Sequence, residues 1–144
     1  MTVNRPANSS IRILLVDDDP AEHILLSRKL SAISEPKIDL DFVDGIEAAV
    51  RHVQTTAIDI ILLDNHLVPN NDFRETAPRL REAGYTGPIG IISSDITGSY
   101  FQSFPEYGAD FRIGKDEIDG KAISFILEEF LKNMLPDECN DDTL

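Results

Sequence analysis

Cysteine, positive charge and long apolar runs are scarce in this sequence, and each scarcity excludes something. Cys139 is the only cysteine in 144 residues, and its acidic neighbours Asp137 and Glu138 disfavour a reactive thiolate, so it reads as inert. Lysine and arginine number 13 against 26 aspartates and glutamates, a net charge of −13. Such a balance argues against direct contact with nucleic acid, and no basic face is legible. No apolar run approaches the roughly 18 residues a membrane span requires, and residues 1–10 lack the apolar centre of a signal peptide. A cytoplasmic protein is the expectation. What is present suffices for one domain, since 42% of residues are hydrophobic, enough for a core without disulfides at this length.

The stretch that organises the rest is Ile58-Asp59-Ile60-Ile61-Leu62-Leu63-Asp64-Asn65-His66, an apolar run closed by a carboxylate. Four branched residues in a row, Ile60 to Leu63, are too few for a buried helix and read as a strand covered on both faces. Asp64 then stands at its carboxyl end. A second such run, Ile11 to Val16, ends in Asp17-Asp18-Asp19. There the period changes: Asp19 can cap, Pro20 suits the first helical position, and Glu22 follows three residues after the cap. A helix is predicted to about Ile33, with Ala21, Ile24, Leu25 and Ala32 inward and Leu26, Leu30 and Ile33 widening the apolar arc. Alternation over 38–43 gives a second, less buried strand. Asp44-Gly45 turns the chain into a helix with Ile46, Ala49, Val50 and Val53 on one face.

Past Asp64, turn residues mark 67–72 as a loop. A helix from about Phe73 to Ala83 follows, with Phe73, Ala77 and Leu80 inward and Gly84 at its end; Pro78 should kink it or delay its start. Ile89 to Ile92 form a fourth strand leading into Ser93. Residues 98–107 read as a short helix bracketed by Gly98 and Pro105, with Phe101 and Phe104 in the core. Residues 109–113 give a fifth strand before Gly114 and Lys115. The last helix carries Ile123, Ile126, Leu127, Phe130, Leu131 and Met134 at helical spacing, while His23 and His52 read as solvated on helix surfaces. The organisation is thus a disordered start (1–10), one domain of βα units (11–135) and an acidic tail (136–144).

Five βα units with right-handed crossovers give a doubly wound, flavodoxin-like α/β fold with a parallel sheet of order 2-1-3-4-5. Strands one and three are then neighbours, and their carboxyl ends bring Asp17, Asp18 and Asp64 to one edge. Strands four and five add Ser93 and Lys115 there. Two unit charges about 4 Å apart repel by roughly 4 kcal/mol at an effective dielectric near 20. Such a nest of carboxylates requires a cation, and all-oxygen ligands favour Mg²⁺. Together with a hydroxyl and an ammonium, this arrangement suits a phosphoryl group held on an aspartate. Transfer to a carboxylate oxygen spreads negative charge over the equatorial oxygens, so positioning and neutralisation carry the chemistry. Asp18 and Asp64 are expected to hold Mg²⁺ against one phosphoryl oxygen, with Asp17 a direct or water-mediated partner. Lys115 is expected to pair with a second oxygen and the Ser93 hydroxyl to donate to a third.

These residues resemble the receiver domain of two-component response regulators, whose simplest relative is the chemotaxis regulator. The landmarks are Val16-Asp17-Asp18-Asp19-Pro20, Leu62-Leu63-Asp64, Pro88 through Ser94, and Gly108-Ala109-Asp110 with Lys115 seven residues after Gly108. The resemblance covers residues 11–134. It implies that Asp64 is the phospho-acceptor, that the donor is a histidine kinase or histidine phosphotransfer protein, and that the backbone carbonyl of His66 completes the metal site. It also implies that phosphorylation switches a surface of the fourth helix, fifth strand and fifth helix that binds a downstream protein. Many receivers pair as homodimers through the same surface. The expectation is a stand-alone response regulator in a phosphorelay, which accepts and loses its own phosphoryl group and turns over no separate substrate.

Some positions depart from the pattern. Arg112 stands three residues before the lysine, where the family usually has an aromatic, and a guanidinium is costly to bury unpaired. Asp116 replaces the proline that follows the lysine, often with a cis bond. A cis bond to a non-proline costs about 2.5–4 kcal/mol, so a trans bond is expected. Pro69 lies five residues after Asp64 instead of four, and Phe73 replaces a glycine, which suggests a loop one residue longer. The response to phosphorylation is therefore expected mainly over 95–107. Two rival readings are a pseudo-receiver that binds partners without phosphate and a phosphatase of the haloacid dehalogenase type. The second would use Asp17-Asp18-Asp19 as its Asp-x-Asp motif, but Ala21 stands where Thr or Val is expected and no cap domain fits.

Overall fold

The computed structural model describes residues 10–131. Strands β1 (Ile11–Val16), β2 (Ile38–Val43), β3 (Ile60–Asp64), β4 (Ile89–Ser93) and β5 (Phe111–Gly114) form one sheet. All neighbours are parallel, and the order is β2-β1-β3-β4-β5. The connections are α1 (Pro20–Ser31), α2 (Ile46–Thr55), α3 (Phe73–Glu82), a long 3-10 helix (Ser99–Tyr107) and a short one (Lys115–Glu117), with α4 (Gly120–Phe130) last. Met134, Cys139, the acidic tail and the start before Ser10 lie outside the described residues.

Alternation along the strands divides the core in two. Ile13, Leu15, Ile60, Leu62 and Ile92 face α1 and α4, where Leu26, Leu30, Ile123, Ile126 and Leu127 meet them. Leu14, Val16, Ile61, Leu63 and Ile91 face α2, α3 and the long 3-10 helix through Ala49, Phe73, Leu80 and Phe101. Each fully buried branched side chain stabilises by roughly 1.5–3 kcal/mol, so the three central strands anchor the fold. Side-chain caps set three helix starts: Asp19 accepts from the Ala21 amide at 3.0 Å, Asp72 from Arg74 at 2.9 Å and Asp119 from Ala122 at 2.8 Å.

Several expectations need correction. On α1 the buried residues are Leu26 and Leu30, whereas Ile24 and Leu25 are 54% and 46% exposed and Ala21 and Ala32 are exposed too. The sheet meets the Leu26 stripe, leaving Ile24 and Leu25 on the outer flank. Residues 99–107 wind as a 3-10 helix, with Phe101 buried and Phe104 half-buried. The fifth strand starts at Phe111, since Ala109 still hydrogen-bonds back to the Phe104 carbonyl at 3.1 Å. Neither helix histidine is simply solvated. His52 Nε2 lies 2.7 Å from Asp41 Oδ2, and the His23 ring stacks on Phe42 at 4.6 Å. Pro78 sits inside α3 without delaying its start. The Lys115–Asp116 bond is trans, as expected.

Candidate functional site

Register brings the strand ends level. Val16 pairs with Leu63, Asp64 with Ile92, and Ser93 with Gly114, so Asp17, Asp64, Ser93 and Lys115 all fall at the carboxyl edge. Asp17 is completely buried and Asp64 is 4% exposed, while Asp18 faces solvent. One carboxylate oxygen from each of the three lies within 4.8 Å of the others. The Lys115 ammonium bridges the buried pair, 2.9 Å from Asp17 Oδ2 and 3.3 Å from Asp64 Oδ1. Asp17 Oδ1 accepts from the Asp19 amide at 3.0 Å, which fixes the carboxylate at the start of α1. Asp18 Oδ2 accepts a long, weak contact from the Val68 amide at 3.5 Å, which brings the loop after β3 to the pocket mouth.

The pocket is electrostatically strained. Burial, and then the charge of Asp17, push the Asp64 carboxyl up to about 6, although Lys115 pulls the other way. Burial disfavours the Lys115 ammonium, but Asp17 and Asp64 outweigh it and hold its pKa above the usual lysine value. Three carboxylates facing one ammonium leave excess negative charge, which a hard cation would neutralise. Two ligands on one Mg²⁺ lie about 3.0 Å apart when adjacent and about 4.2 Å when opposite, given Mg–O distances near 2.1 Å. Separations of at most 4.8 Å come within that reach after a small inward shift or with water between. The donor set therefore fits Mg²⁺.

Four of the six residues singled out from sequence converge: Asp17, Asp18, Asp64 and Lys115. Ser93 is buried at the same edge, but its hydroxyl is engaged by the Asp95 amide at 3.4 Å. His66 lies two residues beyond Asp64 with an exposed side chain, its Nε2 3.5 Å from Asn65 Nδ2. Arg112 is half-buried and reaches the Ile96 carbonyl at 3.5 Å. Asn65 carried no signal in the sequence beyond its place after Asp64. It is fully buried, donates to the Tyr100 hydroxyl at 2.7 Å and accepts from the Phe73 amide at 3.0 Å.

Fold and edge together define a doubly wound α/β domain of the flavodoxin-like kind, with an acidic, lysine-bridged pocket at the carboxyl ends of its strands. The chain belongs to the response regulator receiver domain family, whose model matches residues 13–126. A two-component response regulator of Oryza sativa subsp. japonica is 32% identical over 106 residues, which cover 72% of this chain and 82% of that protein. The sensor histidine kinase RcsC of Salmonella typhimurium is 30% identical over 110 residues, 76% of this chain but only 11% of the kinase. The solved receiver domain of a sensor histidine kinase from Pseudomonas aeruginosa, with a magnesium ion coordinated in its active-site cleft, shares the fold. It matches with a TM-score of 0.71 at 21% identity, over 86% of this chain and 99% of that one. Receiver domains are signalling modules of two-component systems. Among the described residues, no helix is long and apolar enough to cross a membrane.

Proposed function

We propose that this receiver takes a phosphoryl group onto Asp64 in a Mg²⁺-dependent step and thereby switches a protein-binding surface. The donor is a phosphohistidine on a histidine kinase or histidine phosphotransfer protein. An Asp64 oxygen attacks phosphorus, the N–P bond breaks, and the imidazole leaves with the electron pair and takes up a proton. Asp64 needs no general base, because with a pKa of about 6 it is mostly ionised at neutral pH. Asp18 and Asp64 would hold the metal, with Asp17 direct or through water, and the His66 carbonyl would complete the set. Mg²⁺ would neutralise charge on one phosphoryl oxygen; Lys115 and Ser93 serve the other two.

The observation that carries this reading is the single ammonium of Lys115 set between Asp17 and Asp64. The switched surface comprises the long 3-10 helix, β5 and α4, and its partner is a protein. One observation favours a phosphate-independent module instead: Arg112 occupies β5 with its guanidinium on the Ile96 carbonyl. Intact mass after incubation with Mg²⁺ and a small phosphodonor separates the two. Gain of one phosphoryl group, absent in Asp64→Asn and after chelation, is expected. No gain in the wild type would leave the interaction module.

A further inference from the structure

We infer that Tyr100 is a positioning residue whose hydroxyl latches the backbone beside Asp64, so that charge on Asp64 and closure of the long 3-10 helix oppose each other. The inference rests on Asp64 being the phospho-acceptor. Asp64 and Asn65 are consecutive at the end of β3 and direct their side chains to opposite faces of the sheet. Asp64 continues the Leu62 face, toward Asp17 and Lys115. Asn65 continues the Leu63 face, toward α3 and the 3-10 helix. Its backbone amide remains in the ladder, donating to the Ile92 carbonyl at 2.9 Å. A displacement on one side of this peptide therefore reaches the other through a single pair of residues.

On the far side both polar atoms of the Asn65 side chain are engaged. Asn65 Nδ2 donates to Tyr100 Oη at 2.7 Å, and Asn65 Oδ1 accepts from the first amide of α3 at 3.0 Å. The Tyr100 ring stacks on Phe73 at 5.8 Å and Phe101 at 4.5 Å, and the Arg74 guanidinium covers it at 4.5 Å. Tyr100 thus joins the acceptor strand, α3 and the 3-10 helix in one contact. A second, weaker contact is at Ser93, whose hydroxyl accepts from the Asp95 amide at 3.4 Å, at the start of the turn leading to Ser99. Drawing Ser93 toward a phosphoryl group pulls that turn and loads the Tyr100 bond. Breaking it loosens residues 99–107, leaving the packing of Phe101 and Tyr107 on Phe73 to hold them, a role that β5, bearing Arg112, does not fill with an aromatic ring.

The test is Tyr100→Phe, which keeps the ring and removes one hydroxyl, beside Tyr107→Phe as control. Each is titrated with beryllium fluoride in Mg²⁺, and backbone amide exchange is followed over 99–107. By reciprocity, losing a hydrogen bond that opposes the charged state should tighten beryllium fluoride binding by about five-fold. Exchange over 99–107 in unliganded Tyr100→Phe should already match that of the liganded wild type, with Tyr107→Phe unchanged on both counts. A purely structural tyrosine would leave affinity unaltered or weaken it. Equal or weaker binding by Tyr100→Phe, in protein whose wild type gains a phosphoryl group by mass, overturns the latch alone. No mass gain and no beryllium fluoride binding in the wild type overturns the acceptor assignment and the latch together.

Discussion

Replacing Asp64 by asparagine should make the metal-free protein more stable at neutral pH. The folded environment raises the Asp64 carboxyl from 3.8 to about 6, burial first and the charge of Asp17 second. The native state therefore holds this proton more tightly than the unfolded chain does. Well below 3.8 the carboxyl is neutral in both states and carries no penalty. As the pH rises through 6, the native state must ionise against its surroundings, and this contribution to stability is lost. The difference amounts to about 3 kcal/mol above pH 7, already net of the attraction from Lys115. Asparagine keeps the shape and removes the charge. In chelator at pH 7.5, its melting temperature should exceed that of the wild type by roughly 6–12 °C. The advantage should shrink toward pH 4 and narrow when Mg²⁺ is added, because the ion stabilises the carboxylate form. Thermal unfolding against pH, with and without Mg²⁺, reads all three. An asparagine variant no more stable at pH 7.5, or one whose advantage persists at pH 4, would refute the claim that this pocket is strained by unneutralised charge.

Other perturbations probe separate parts of the same account. Lys115→Met leaves Asp17 buried without its ammonium and should cost about 3 kcal/mol in urea denaturation, partly restored by Mg²⁺. Asp18→Asn, at an exposed position, should change stability by less than about 0.5 kcal/mol yet weaken Mg²⁺ binding in calorimetric titration. Arg81→Met removes a guanidinium that serves the Tyr85, Gly87 and Gly108 carbonyls and Asp110, and should cost about 2–3 kcal/mol by thermal unfolding. Gly90→Ala puts a methyl against the Phe111 ring inside the β4–β5 pairing and should lower stability by about 1–3 kcal/mol in the same assay.

What the sequence made legible follows from how local each signal is. Continuous branched runs such as Ile60–Ile61–Leu62–Leu63 mark buried parallel strands because both faces are covered, and a parallel sheet puts its ligands at the carboxyl ends. Asp17, Asp64, Ser93 and Lys115 are thus placed at one edge by the sequence pattern alone. The phase of α1 is not set that way. Ile24, Leu25 and Leu26 are consecutive, so two helical faces compete, and only the position of the sheet selects Leu26 and Leu30. The 3-10 winding of 99–107 was equally hidden, since Gly98 and Pro105 limit the segment without specifying its hydrogen bonds. Partnerships such as His52 with Asp41, or Asn65 with Tyr100 across 35 residues, join elements whose packing is decided by the whole core.

The departures from the family pattern acquire a physical reading from this division of the sheet. The carboxylates and Lys115 are held by strand ends and by the α1 turn, all of which Arg112 and Asp116 leave in place. Arg112 instead touches the carbonyl of Ile96, in the turn that leads into the 3-10 helix. At 3.5 Å that contact is too long to be a strong hydrogen bond, so the guanidinium restrains the turn only weakly. The firm link between β3 and that helix is the 2.7 Å bond from Asn65 to Tyr100, on the opposite face to the carboxylates. The acidic pocket lies on one face and the Asn65–Tyr100 contact on the other, so under the proposed function a substitution such as Arg112 would alter the relay while leaving the pocket intact.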